Sequence, residues 1–301
     1  MVGVGVRTLV LLSVGVVAVS TSGPLMAAMV MPPLAIAFWR NALATVALAP
    51  GAVVRRSDEM SRLPGGRLAL VVASGLALAI HFATWVTSLT LTSVASATAL
   101  VSLQIAFVVA WQLLRGERFG VGVLVGLVLS LVGVLVVSGV DFSLSPRALV
   151  GDLLALVGGA AGAAYILVGS RARQSMSTTA YTFVCYGTCS LVLLLSCVVA
   201  GQDLWGYPLT QWGLLLLVTA TSQLLGHSVF NHLLATTSAE VVSLALLLEV
   251  PGAALLAAWF LGQQPPLAAL GGLVLVLAGM ALVIVQSRST ERAAPLRAPV
   301  D

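Results

Sequence analysis

Residues 119–140 read FGVGVLVGLVLSLVGVLVVSGV, an unbroken stretch with no ionisable side chain, bounded by Arg115-Gly116-Glu117-Arg118 on one side and Asp141 on the other. A helix needs about 20 consecutive apolar residues to cross the hydrocarbon core of a bilayer. The stretch lacks the strict apolar/polar alternation of a barrel strand, so it reads as a membrane helix. Moving outward from it, runs of the same length and character recur along the chain. Ten spans are expected, at 7–28, 33–54, 67–90, 93–114, 119–140, 149–170, 178–200, 211–234, 239–261 and 266–286. Between them stand groups that disfavour an uninterrupted helix, such as Pro32-Pro33, Pro64-Gly65-Gly66, Pro208 and Pro265-Pro266. The first run follows Arg7 and superficially resembles a signal peptide. It is too long for an h-region and lacks an A-x-A site, so it is read as a retained first span.

Composition agrees. Of 301 residues 59% are apolar and 8% charged, with a mean hydropathy of +1.10. Soluble domains carry about 25% charged residues, and an unfolded chain needs low hydrophobicity with high charge. Both classes are excluded. The net charge of +4 comes entirely from arginine, since there is no lysine. These arginines lie in short groups between apolar runs, and no soluble face is long enough to carry the basic stripe of a nucleic-acid binder. Cys185, Cys189 and Cys197 share one apolar run without CxxC spacing, which argues for packing residues and against a disulfide framework or zinc site.

The arginines also give an orientation. With the N-terminus inside, all but two of the 14 fall in cytoplasmic segments, as the positive-inside rule requires. The exceptions are Arg147 in an outer loop and Arg40 within a span. Both termini are therefore expected in the cytoplasm of a plasma-membrane protein, with a disordered polar tail over 287–301.

Sliding the chain on itself by 146 positions superposes His81 on His227, Gly116 on Gly262, Glu117 on Gln263, Gly126 on Gly272 and Gly133 on Gly279. The expected halves are 1–146 and 147–286, with five helices each. An odd number makes the second half cross the bilayer in the opposite sense to the first, as in many secondary transporters. The stretch Arg115-Gly116-Glu117 followed by Gly126 and Gly133, and Leu248-Glu249-Val250-Pro251 followed by Gly262-Gln263, resemble the repeat unit of the drug/metabolite transporter superfamily, EamA-like branch. The resemblance implies an all-α fold of ten helices in two inverted repeats and a small-molecule substrate, with export of amino acids or related metabolites the leading guess. Two positions depart from the pattern: Ile105 stands where the first repeat would carry a proline, and Gln263 replaces the acid represented by Glu117.

Polar side chains inside spans are expensive and mark a pathway or a partner. Arg40 lies about 10 Å into the second span at 1.5 Å per residue, and Glu249 lies near the middle of the ninth. Two readings follow: a buried ion pair joining the halves, or groups lining the substrate path, with Arg40 for a carboxylate and Glu249 for an amine or a proton. Ser74, His81, Trp85 and Ser88 share a face of the third span, and Thr219, Gln223, His227 and Asn231 recur every four residues in the eighth. In lipid such stripes point inward. Gln104 in the fourth span, Tyr165 in the sixth and Tyr186 in the seventh, opposite Arg40 in the repeat, complete the candidate pathway. Trp39, Trp205, Tyr207 and Trp212 read as interfacial anchors. Gly122-x3-Gly126-x3-Ser130 and Gly158-x3-Gly162 are close-approach patterns whose partner helix lies in this chain or in a second copy. Pro24 and Pro251 are expected to break their helices near the site.

No HExxH, GxSxG, P-loop or GxGxxG occurs, which leaves little support for an enzyme or an ATP-driven pump. No cofactor or metal is expected. The reading is a secondary transporter working by alternating access, with protons as a possible coupling ion; a passive facilitator is the alternative, and a membrane enzyme or structural subunit stands further behind.

Overall fold

The computed structural model describes residues 6–61, 63–173, 176–226, 229–230, 233, 242 and 245–293. Among them the regular structure is helical throughout: α1 (Val6–Ser20), α2 (Ser22–Ala27), α3 (Pro33–Ser61), α4 (Gly65–Ser88), α5 (Val94–Ser102), α6 (Gln104–Leu114), α7 (Val121–Leu144), α8 (Pro146–Arg173), α9 (Thr178–Val199), α10 (Leu209–Val218), a π-helical segment (Thr219–Gly226), α11 (Glu249–Leu261) and α12 (Leu267–Ala293). Eight described stretches are long and apolar enough to cross a membrane, counting α1 with α2 and α5 with α6, and Ala245–Leu261 is a shorter apolar helix. The expected spans 211–234 and 239–261 each include residues outside the described set. The last helix runs past the expected span end at 286 to Ala293, short of the first proline at 295. The rest of the expected tail, 294–301, lies outside the described residues.

Ends and breaks follow from local chemistry. Ser93 and Ser177 cap α5 and α9, each accepting the N–H three residues on, from Ser96 and Ala180. Glu59 at the end of α3 reaches across to bond both Ser177 N–H (2.6 Å) and its hydroxyl (2.8 Å), tying the α9 N-terminus to α3. Gly116 and Gly262, which superpose in the internal repeat, both take positive φ (85° and 65°) where their helices end, the conformation glycine adopts without a Cβ penalty.

Small residues decide which helices meet. α7 crosses α12 so closely that a Cβ on Gly126 would lie 2.7 Å from the Gly279 carbonyl, and one on Gly133 would lie 2.7 Å from the Gly272 carbonyl. Ser130 Oγ sits between these crossings, 3.5 Å from the Val276 carbonyl. The partner of the Gly122/Gly126/Ser130 stripe is therefore in the same chain. α8 lays Gly151, Gly158, Gly162 and Gly169 against α4 and its neighbours, and α3 packs along α9. The main apolar core lies among α3, α4 and α9, around Ile36, Val71, Ala180 and Leu193. Cys185, Cys189 and Cys197 are buried there as free thiols.

Candidate functional site

Three helix interruptions turn polar groups toward one space. Pro24 has no N–H to return to the Ser20 carbonyl, and the chain breaks at Thr21 between α1 and α2, presenting Ser22. A second break at Leu103 separates α5 from α6 and places Gln104 at the α6 start. The third is the π-helical segment, whose wider turn brings Ser222 and Gln223 to the same buried target. π segments are frequent at functional sites for this reason.

That target is Arg40, 1% exposed in the middle of the bundle. Its Nε donates to Gln223 Oε1 (2.6 Å), Nη1 to Ser22 Oγ (2.9 Å) and to Met26 Sδ (3.5 Å), and Nη2 to Ser222 Oγ (3.3 Å). Its guanidinium carbon lies 4.7 Å over the Phe82 ring, a cation–π contact strengthened by desolvation. Gln223 Nε2 in turn donates to Asn41 Oδ1 (3.3 Å), so a hydrogen-bonded chain links α3 to the π segment. All these acceptors are neutral.

A cavity of about 310 Å³ opens beside Arg40. Its walls include every described member of the candidate set: Arg40, His81, Trp85, Gln104, Tyr165, Tyr186, Gln223 and Glu249. The other two candidates, His227 and Asn231, lie outside the described residues. Glu249, half-buried in the first turn of α11, faces the same space without a bonded partner among the described residues. The buried Arg40–Glu249 ion pair, one of the two readings from sequence, does not form: no contact within 4 Å joins them, and the ion pair among the described residues is Arg56–Glu59. The guanidinium fork is already spent on Ser22, Ser222 and Gln223, which leaves both charges as separate features of one cavity.

His81 Nδ1 lies 2.9 Å from the Gly158 carbonyl, which only accepts, so Nδ1 carries the proton and a neutral ring keeps Nε2 as an acceptor. Phe82 and Trp85 flank the ring. Gly162 makes this corner possible, because a Cβ there would lie 2.5 Å from Gln104 Oε1 and 3.0 Å from His81 Nδ1. Of the wall residues, Trp85 and Thr98 are buried with Nε1 and Oγ1 lacking partners among the described residues. Tyr181 bonds Ser74 at 2.7 Å, and Ser74 reaches the Tyr165 carbonyl at 3.3 Å.

The cavity reaches the arginine-rich end at Arg173 and Thr178, both exposed and 3.3 Å apart through Nη2 and Oγ1. The opposite end is closed by side-chain amides on backbone N–H groups: Gln263 Oε1 accepts from Val94 (3.0 Å) and Gln211 Oε1 from Val30 (2.9 Å). Trp39, whose Nε1 donates to the Leu204 carbonyl, packs edge-on against Trp205 and Trp212 at the same end. Ser22, Phe82, Thr98, Ser222 and Arg173 were not among the pathway residues expected from sequence. Ser22 lay within the Ser-Thr-Ser-Gly run before Pro24, a usable signal. Ser222 had none, because α-helical spacing through Gln223 passes it by. Trp111, seven residues beyond Gln104 and so on the same helical face, is exposed and outside the cavity wall.

The model of the EamA-like transporter family matches residues 6–139 and again 149–285. This chain belongs to the EamA-like transporter family. It is accordingly a multi-pass membrane protein of transporter type. A solved crystal structure aligns over 94% of this chain and 98% of its own with 16% identity and a TM-score of 0.65, a likeness of fold. The search of curated proteins found no match.

Proposed function

We propose that this EamA-like protein is a secondary transporter that exports a small metabolite, with amino acids and related compounds the leading class, across the plasma membrane. It does so by alternating access between two five-helix halves, 1–146 and 147–286, inserted in opposite senses with both termini cytoplasmic. The observation that carries the reading is the cavity: one space of about 310 Å³ holding a guanidinium and a carboxyl, neither ion-paired among the described residues, and an aromatic wall. Largely apolar pockets with a few convergent polar groups suit small ligands. Gly126 meeting Gly279 while Gly133 meets Gly272, each offset from the other by the repeat shift, supports a two-fold relation between halves.

Glu249 is the proposed coupling group. A substrate ammonium and a proton compete for the same carboxylate, so loading one releases the other and alternating access turns the competition into antiport. Arg40 supplies a fixed positive field for a substrate carboxylate while its own donors hold the cavity wall. The test is a resistance screen. The protein is overexpressed in a sensitive host and challenged with toxic amino acids, amines and metabolite analogues. Protection against one class that Glu249→Gln removes is expected; no protection against any class, with no flux in vesicles, would contradict the reading.

A further inference from the structure

At the end of the bundle opposite the arginines, and outside the cavity, lie two carboxyl groups that the transport reading leaves unused. Asp152 in α8 is 0% exposed, and neither of its oxygens has a hydrogen-bond partner among the described residues. Asp141, near the end of α7 and 5% exposed, receives the Thr92 hydroxyl at 3.2 Å. The polar groups around Asp152 are Asp141 and Ser138 from α7 and Thr92 from the α4–α5 turn.

Among the described residues no cation offsets them. Neither carboxyl has an ion pair within 4 Å, and Arg147, on the first turn of α8, is exposed. The helices packed on α8 bring no positive group either. α5 and α6 contain no titratable side chain, and α9 offers only tyrosines and cysteines. On α4, Arg67 sits at the far end and His81 is bonded to Gly158. α7 carries no titratable group but Asp141, and α12 runs antiparallel to α7 with its uncharged Leu267 end toward this site. Two bare carboxylates sealed together without a partner are strongly disfavoured. The space is also tight, since a Cβ on Gly151 would lie 2.8 Å from Thr92 N. A proton needs no cavity and no ligand shell; a metal ion needs both.

We propose that Asp141 and Asp152 form a proton-binding pair in which one carboxyl donates its hydrogen to the other carboxylate. The pair fastens the α7–α8 link, which joins the two family-matched segments, to the α4–α5 turn. The single remaining negative charge is shared by the pair and takes the Thr92 hydroxyl. When the contact opens, the proton passes to bulk water and two hydrated carboxylates remain. The packed form therefore binds one more proton than the opened form, and its stability falls as pH rises.

The experiment is thermal unfolding of the full-length protein in detergent from about pH 4 to about pH 7, comparing wild type with D152N. The amide of D152N still donates to Asp141 and mimics the protonated member. The melting temperature of the wild type should fall as pH rises through this range, and the fall should be clearly smaller in D152N, which leaves Glu249 in place. Infrared spectra should contain a carboxylic-acid carbonyl band that shifts in heavy water and is missing from D152N. Equal pH profiles for the two proteins, or no band lost in D152N, would overturn the proposal. So would stabilisation by sodium over choline at fixed pH and ionic strength that D152N abolishes, since that marks a metal-ion site. Transport is not read in this experiment, so its failure leaves the transporter reading untouched.

Discussion

Gly133→Ala and Gly139→Ala place the same methyl group on the same helix with opposite consequences. At Gly133 the new Cβ would stand 2.6 Å from the Val276 backbone nitrogen and 2.7 Å from the Gly272 carbonyl oxygen. Ordinary contact begins near 3.4 Å, so α7 and α12 must separate by roughly 0.8 Å, and neither obstacle is a side chain that can swing aside. Overpacking of this kind costs about 1–3 kcal/mol, offset by about 1 kcal/mol of helix propensity gained from alanine. A net loss of about 1–2 kcal/mol is expected, towards the upper part of the range because backbone cannot yield. At Gly139 nothing lies within 4 Å, so only the propensity gain remains, up to about 1 kcal/mol of stabilisation. The assay is equilibrium unfolding in mixed micelles, followed by far-UV circular dichroism. The two variants should move to opposite sides of wild type, separated by about 2–3 kcal/mol. A Gly133→Ala protein as stable as Gly139→Ala would refute the close α7–α12 crossing.

Arg40→Lys keeps the charge but replaces a fork bonded to Ser22, Ser222 and Gln223 with a single ammonium; at about 1.5–3 kcal/mol per charged hydrogen bond, a loss of at least 2 kcal/mol in the same unfolding assay is expected, together with loss of transport. Gln263→Ala removes the acceptor of the Val94 N–H, so a cysteine introduced at Thr98 should react faster with a reagent supplied from the end opposite the arginines, and unchanged reactivity would deny Gln263 a part in that closure. Single-cysteine labelling in a cysteine-free background should place the segment from Arg55 to Arg67 inside and the loop around Asp203 outside, the reverse result contradicting the arginine-based orientation.

The spans were legible because lipid acts on composition: a run such as 121–139 has no other solvent that suits it, whatever its neighbours. Arg40 and Glu249 stood out for the same reason, as charges in the wrong solvent. Their relation was not legible. Depth along a helix follows from counting residues, but the direction a side chain faces around the bundle depends on which helices pack together, and Arg40 turned to the π segment instead of to Glu249. That segment itself left no trace in the sequence, since a change from i→i+4 to i→i+5 bonding barely alters the spacing of Thr219 and Gln223. The glycine stripes signalled close approach and left the partner open; only packing showed that α7 meets α12 and α8 meets α4. Asp152 was passed over because it lies within two turns of a helix end, where a carboxylate is ordinarily expected to reach water.

The central claim is that the cavity beside Arg40 carries substrate and that Glu249 exchanges it for a proton. The most direct measurement is uptake of a radiolabelled substrate, identified by the resistance screen, into proteoliposomes with an imposed pH gradient, comparing wild type with Glu249→Gln. Gradient-driven accumulation is expected in wild type, and its loss in Glu249→Gln. Accumulation that continues unchanged in the variant would remove Glu249 as the coupling residue, and wild-type flux indifferent to the gradient would make the protein a facilitator.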